Sequence, residues 1–450
     1  MKWLTTLSTV VLLAMGCAQG PVAAPTSTAQ PERPNVALAD HHQHLVSPAG
    51  AGWLNRPPAP IEKVPQAVEN LLRERALRWN DKTTLAALYT EDSLVLSDLR
   101  PEWLRGRQAV ANYLGSRFAR PFRLTPIAYT EKGSTAYVAG YFTRGEGPAA
   151  RHIGSFTLTL AKGPDGQWRI AVESPTFPGP PAEEQISAEK LIAHLDAAGI
   201  RQAVVLSDAY WFDSTTEEAT PDSYANVRAE NDWTAQQVSM FPERLIAFCS
   251  FNPLKPYALT ELARCAADPR FKGVKLHFRS SGVDLKKPEH VEKVRQLFQA
   301  ANAARLALIV HVRAGDSYER EHAEVLLNQL LPAAPEVVVQ IAHLWGGEGF
   351  SDSALAAYAE AVAAGHPATK RLYFDVSDAV LVAGGSADML KTLAQRIRQI
   401  GVQRILYGSD AAMNRHPTPH EAWKAFRAEM PLTDEEFAAI ASNVAPYFHR

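Results

Sequence analysis

The first residues able to do chemistry lie at 40–44, where the apolar stretch from Val36 to Ala39 runs into Asp40, His41, His42, Gln43 and His44. In a strand alternate residues share a face, so His42 and His44 point the same way as Asp40, and His41 points oppositely. Two neutral imidazoles a strand pitch apart can reach a single divalent ion of borderline softness. Comparable residues recur where other apolar runs end. Lys275 and His277 lie in 273–278, His311 in 307–313, His343 closes 337–343, Asp375 lies in 371–376 and Asp410 closes 404–410. A lone buried histidine is ordinarily a satisfied core residue, and a Gly-Ser-Asp ending is often only a helix cap. The same coincidence at the ends of several separate runs reads instead as a metal site.

The elements that carry these residues alternate. From about residue 183 the pattern is helix then strand: 187–199 has a Ser187 cap and a terminal Gly199, and it feeds the short apolar strand 203–207. Further buried strands are expected at 245–252, 273–278, 307–313, 337–343, 371–376 and 404–410, with helical sequence between them. With a first strand at 36–42 these are the eight needed to close an α/β fold of the (β/α)8 TIM-barrel type. In such a barrel the C-terminal strand ends converge on one mouth, so residues far apart in sequence meet there.

Residues 63–180 have a different character. A helical pattern at 67–80 and a short helix near 107–118 precede alternating stretches at 136–144, 153–162 and 168–174, with turn residues Gly163-Pro164-Asp165-Gly166 between the last two. This reads as an α+β domain inserted after the first strand. It resembles the SnoaL-like cone fold through Tyr89 to Ser93, Leu104 to Val110 and the 156–170 hairpin. That resemblance implies either an enzyme or an interaction module, and the expectation here is a structural or lid domain.

Outside the insert and the N-terminus the chain resembles the metal-dependent amidohydrolase superfamily, in the branch that includes aminocarboxymuconate-semialdehyde decarboxylase. The matching motifs are Asp40-His41-His42-Gln43-His44, Ile309 to Arg313, Gln340 to Gly347 and Leu406 to Asp410. The resemblance implies that His42, His44, His311 and Asp410 hold one divalent ion, zinc first and manganese second, with His343 and Asp410 as catalytic acid or base. In binuclear relatives a carboxylated lysine on the fourth strand bridges two ions. Lys275 with His277 could therefore serve a second metal, orient substrate or form a buried ion pair, and the mononuclear arrangement is favoured.

Such an ion lowers the pKa of a water, which predicts hydrolysis of an amide, lactone or ester of a small molecule. The same donors also suit non-oxidative decarboxylation of a small carboxylic acid. Arg313, two residues after His311, is placed for a substrate carboxylate, although a rim cation is as often a salt-bridge former. Asn443 reads as a packing or capping residue. A third reading is an inactive anchored scaffold, against which the retained ligand set argues. Because the insert leaves the barrel just after His44, it is expected to overhang the mouth, and the aromatic, acidic stretch 211–224 is a second candidate wall.

Composition sets the remaining bounds. The 450 residues carry 46 Lys+Arg against 48 Asp+Glu, a net charge of −2, so no basic surplus advertises nucleic acid. Three cysteines, Cys17, Cys249 and Cys265, are too few and too scattered for a disulfide framework or a thiolate metal cluster. Lys2, the apolar run Leu7 to Met15 and small residues up to Cys17 form an export signal of lipoprotein type, too short to span a bilayer. The expected division is a signal peptide at 1–16, a flexible spacer at 17–35, the first barrel strand and start of the insertion at 36–62, the insert at 63–180 and the rest of the barrel at 181–450. The expected protein is exported to the bacterial periplasm or cell envelope and touches the membrane only through a lipid anchor at Cys17.

Overall fold

The computed structural model describes residues 36–55, 63–77, 81–96, 103–114, 122–144, 151–176, 184–214, 222–313, 318–347, 350–411 and 417–449. The expected signal, Cys17 and spacer lie outside these. Among the described residues no helix is long and apolar enough to cross a membrane.

In chain order the strands are β1 (Ala39–His44), β2 (Tyr89–Leu96), β3 (Trp103–Arg105), β4 (Arg123–Lys132), β5 (Thr135–Arg144), β6 (Arg151–Lys162), β7 (Trp168–Thr176), β8 (Gln202–Leu206), β9 (Leu245–Ser250), β10 (Phe271–His277), β11 (Ala307–His311), β12 (Val339–Ile341), β13 (Leu372–Asp375) and β14 (Ile405–Leu406). β1 and β8–β14 form one eight-stranded parallel sheet in sequential order. The stretch after β14 returns to the first strand: His41 N donates to Tyr407 O at 2.8 Å and Asp410 N to His42 O at 2.8 Å. The sheet thereby becomes a nearly closed (β/α)8 barrel. Its interior is filled by Val204, Leu206, Phe248, Ile309 and Leu406 with Tyr447 from the C-terminal segment, while the helices pack their apolar faces around the outside.

The first strand lies further along the chain than expected, at Ala39–His44 rather than 36–42, so both histidines belong to it. Its register against β8 shifts between Asp40 and Gln43. Strict alternation therefore fails there, and Asp40 turns to brace the last strand's extension, accepting from Ser409 N at 3.1 Å and Gln43 Nε2 at 2.7 Å. The cysteine reading is also revised, because Cys249 on β9 and Cys265 on the following helix Ala258–Ala267 are joined by a disulfide. Sixteen residues separate them in sequence, but the helix folds back over the strand it follows.

Between β1 and β8 the chain builds a second sheet, ordered β3-β2-β7-β6-β5-β4, with the helices Gln66–Leu77, Lys82–Ala87 and Arg107–Leu114. It has its own core, including Val68, Leu72, Leu85, Val138, Phe142, Leu158 and Ile170. The sequence reading did not anticipate β4. Pro126 interrupts its strand signal, and this is tolerated because β4 is the edge strand and its register shifts between Pro126 and Ala128. The segments leaving and re-joining the barrel are tied by a bridge, Val46 N to Ile186 O at 3.2 Å and Ile186 N to Val46 O at 2.9 Å.

Candidate metal centre

His42 and His44 end the first strand on one face, and Asp410 follows the eighth. Nε2 of His42 lies 3.5 Å and Nε2 of His44 lies 3.4 Å from Oδ1 of Asp410. These three donors sit within 4.8 Å of one another, as do His343, Asp378 and Asp410, and His42, His343 and Asp375. The far nitrogens of the two strand histidines face carboxylates. His42 Nδ1 is 3.1 Å from Asp375 Oδ2, and His44 Nδ1 is 2.7 Å from Asp208 Oδ1. A carboxylate can only accept, so Nδ1 of His42 carries that ring's proton and Nε2 keeps its lone pair toward Asp410. This is the arrangement that orients imidazoles for a metal ion. The donor set therefore fits the divalent ion expected from the sequence.

Asp375 is held by more than His42. Its Oδ2 accepts from Gln340 Nε2 at 2.7 Å, and its Oδ1 accepts from His343 N at 3.0 Å and from the Ser377 hydroxyl. Gln340 is itself oriented by Tyr447, whose hydroxyl donates to its Oε1 at 2.6 Å. A chain of bonds thus runs from the C-terminal segment through the barrel to His42. Burial alone would raise the Asp375 carboxyl, but His42, His343 and Ser377 outweigh it and hold the group well below the usual carboxylate range. Burial, reinforced by Lys275, pushes His42 well below its ordinary value. Burial also lowers His343, and burial with Asp378 beside it drives the Asp410 carboxyl well up.

Backbone conformation marks the same places. His343, Leu344 and Asp410 have φ of 54°, 61° and 53°, in the left-handed region that costs a non-glycine residue free energy. Two glycines are required by close approach. A Cβ on Gly347 would lie 1.9 Å from His311 Nε2, and one on Gly408 would lie 2.7 Å from the Cβ of His42.

The remaining expected residues divide. Lys275 is only 1% exposed, and its Nζ is 3.1 Å from His42 Nε2. Burial lowers its pKa, although Asp410 and Asp375 oppose the shift. His311 is in the same mouth, its ring centroid 5.2 Å from that of His343, but its nitrogens join none of the three donor groups among the described residues. Instead it stacks on His277 at 3.9 Å, and His277 stacks in turn on Tyr210 at 4.8 Å. Ser280 N donates to His277 Nδ1 at 3.2 Å, so the neutral ring carries its proton on Nε2. Arg313 lies two residues past the end of β11 at His311, and its backbone N bonds Gly346 O at 3.1 Å. Asn443 caps as expected, donating to Val402 O and Ile405 O at 2.7 Å each.

Sequence reasoning missed Asp208, Ser377 and Asp378. Asp208 had a usable signal, since Ser207-Asp208 closes the second barrel strand as Ser409-Asp410 closes the eighth. Asp378 had none, because it lies past β13 and approaches His343, with 3.8 Å between its Oδ2 and Nδ1, only through the turn there.

A family model described as amidohydrolase matches residues 183–445. No curated protein matches the chain. Similar solved structures include 5-carboxyvanillate decarboxylase from Sphingomonas paucimobilis, at 17% identity over 56% of this chain and 79% of that one, with a TM-score of 0.38. Another is 2,6-dihydroxybenzoate decarboxylase from Rhizobium, at 18% identity over 57% and 87%, TM-score 0.41. A third, designated a probable 2-pyrone-4,6-dicarboxylic acid hydrolase, comes from Acinetobacter baumannii, at 17% identity over 57% and 86%, TM-score 0.36.

Proposed function

The chain belongs to the amidohydrolase family, and from that premise we propose that it is a metal-dependent hydrolase acting on an amide, lactone or ester of a small molecule. The observation that carries this reading is the convergence of His42 Nε2, His44 Nε2 and Asp410 Oδ1 at the mouth, with both imidazoles backed by carboxylates. These three residues, joined by His311, would hold one divalent ion, zinc or manganese. When bound, that ion supplies Lewis acidity for activating water and polarising a carbonyl.

The side chains supply the proton transfers. Ser377 donates to Asp375, so His343 donates its own Nδ1 proton to the Ser377 oxygen at 3.0 Å and keeps Nε2 as an acceptor. His343 Nε2 or the Asp410 carboxylate takes the proton of the attacking water as oxygen bonds to the carbonyl carbon. The same proton passes to the departing nitrogen or oxygen as the scissile bond breaks. His277, with its proton on Nε2, offers a donor to the carbonyl oxygen, and the Lys275 ammonium adds positive charge beside His42. The insert, rooted just past His44, serves as a lid of SnoaL-like type. The protein is exported and lipid-anchored at Cys17, a reading that the Cys249–Cys265 disulfide supports because such bonds persist in oxidising compartments.

The test is turnover of a panel of lactones, amides, esters and aromatic carboxylic acids by zinc- or manganese-loaded protein, with carbon dioxide release followed in parallel. Metal-dependent hydrolysis is expected. Carbon dioxide release without hydrolysis would transfer the site to decarboxylation, and stable protein that takes up no metal would leave only a scaffold.

A further inference from the structure

A cavity of about 280 Å³ lies beside the metal centre, between the short helix Ala379–Ala383 and the helix Pro419–Glu429. Its walls are mostly apolar, built from Val376, Leu381, Ala422, Ala425 and Phe426, with Tyr407 and Glu429 also on the lining. Asp378 lines it too, and its carboxylate also belongs to the donor group with His343 and Asp410. Gly408 and Ser409 form part of the same wall, and Gly408 is packed closely against His42. Cavity and site therefore meet at Asp378 and Gly408. At the rim Leu381 is 62% exposed, a large apolar side chain left facing solvent.

Nothing in the hydrolytic chemistry uses this space. A ligand pocket is typically concave and mostly apolar, with a few convergent polar groups. A dry cavity of roughly 150 Å³ already holds benzene, so this one has room for a substituted ring or a medium-length alkyl chain. We propose that the cavity between these two helices is a substrate subsite that takes an uncharged apolar arm, an acyl chain or aromatic ring. On this assignment Asp378 accepts a hydrogen bond from an N–H or O–H at the arm's root, while the polar head of the substrate lies at the metal centre. The assignment deepens the hydrolase reading and rests on it for the position of the reacting group. It narrows the substrate class to molecules with a polar head and an apolar tail or ring.

Straight-chain carboxylates from acetate to octanoate, titrated calorimetrically into the full chain in metal-loaded and metal-stripped forms, test it. Affinity should rise about threefold to fourfold per methylene until the cavity is full. Ala425→Phe, which fills the cavity, should flatten that dependence while leaving acetate binding unchanged. Ala422→Leu is a milder filling variant in case the larger ring perturbs folding, and Leu381→Ser at the exposed rim should weaken octanoate more than acetate. The subsite is overturned if octanoate binds wild-type protein no more tightly than acetate, or if folded Ala425→Phe and Ala422→Leu keep the wild-type slope. The hydrolase reading fails separately, if metal removal leaves acetate affinity unchanged; the chain-length slope does not depend on the ion.

Discussion

The barrel and the insert both bury charge, but they do so in opposite ways. In the insert Arg75, Tyr89 and Glu173 are fully buried and close on one another. Arg75 Nε and Nη2 donate to Glu173 at 3.1 and 2.7 Å, Nε also reaches Tyr89 Oη at 2.6 Å, and the tyrosine hydroxyl donates to Glu173. Only Arg75 Nη1 lacks a partner. Burial alone would lower the guanidinium pKa, but Glu173 and Tyr89 outweigh it and raise it instead. In the barrel His42 and His44 each spend one nitrogen on a supporting carboxylate and turn the other toward the same small volume as Asp410 Oδ1. A buried network that completes itself holds an ion pair in a core. One that leaves several lone pairs aimed at a common point is built to receive something.

That contrast can be broken at several places. The largest effect is expected for His42→Ala or Asp410→Asn, which should lose bound metal by elemental analysis and at least about a thousandfold in turnover. Retained metal with retained activity would remove the barrel's side of the comparison. Arg75→Ala leaves Glu173 buried without its cation and should cost about 3–5 kcal/mol in denaturant unfolding. Metal content should not change, since the insert has its own core; co-loss of metal would mean that the two networks are coupled.

Glu230 sharpens the comparison through pH. It is held by the Ser47 hydroxyl at 2.6 Å beside the root of the insert, and burial raises its carboxyl to about 7. Because the folded value lies above the unfolded one, its contribution to stability is complete below about 4.5 and is lost as pH rises through about 7. At pH 8 that loss is on the order of 3 kcal/mol at most. Glu230→Gln should flatten the decline in stability between pH 5 and 8, measured by urea titration at each pH. An unchanged profile would place the responsible group elsewhere. The smallest effect on metal is expected for Asp375→Asn, which frees the His42 tautomer and should weaken metal binding about tenfold to a hundredfold in a chelator competition.

Much of the barrel was legible because its signals are local. Short apolar runs bounded by helical sequence announce parallel strands, and His42, His44, His277, His311, His343 and Asp410 stand at or just past their ends. Less of the insert could be read, because Pro126 hides β4 and the pairing of β2 with β7 is parallel across most of the domain. Arg313 lies past the end of β11, so alternation along that strand does not fix where its side chain points. The disulfide was missed because spacing says nothing of a helix folding back on its strand.

By itself the sequence determined that the histidines of the strand ends and Asp410 arrive at the mouth, since strand period and strand ends are properties of neighbouring residues. Only the tertiary structure decided what those side chains do there. The proton on His42 is fixed by Asp375, 333 residues away, and the bulge that turns Asp40 aside depends on pairing with β8. The left-handed turns at His343 and Asp410 are strained conformations that only the surrounding barrel can impose. Tautomers, shared oxygens and the seam between metal centre and apolar cavity are set by distances between distant segments, and those distances exist only once the barrel has closed.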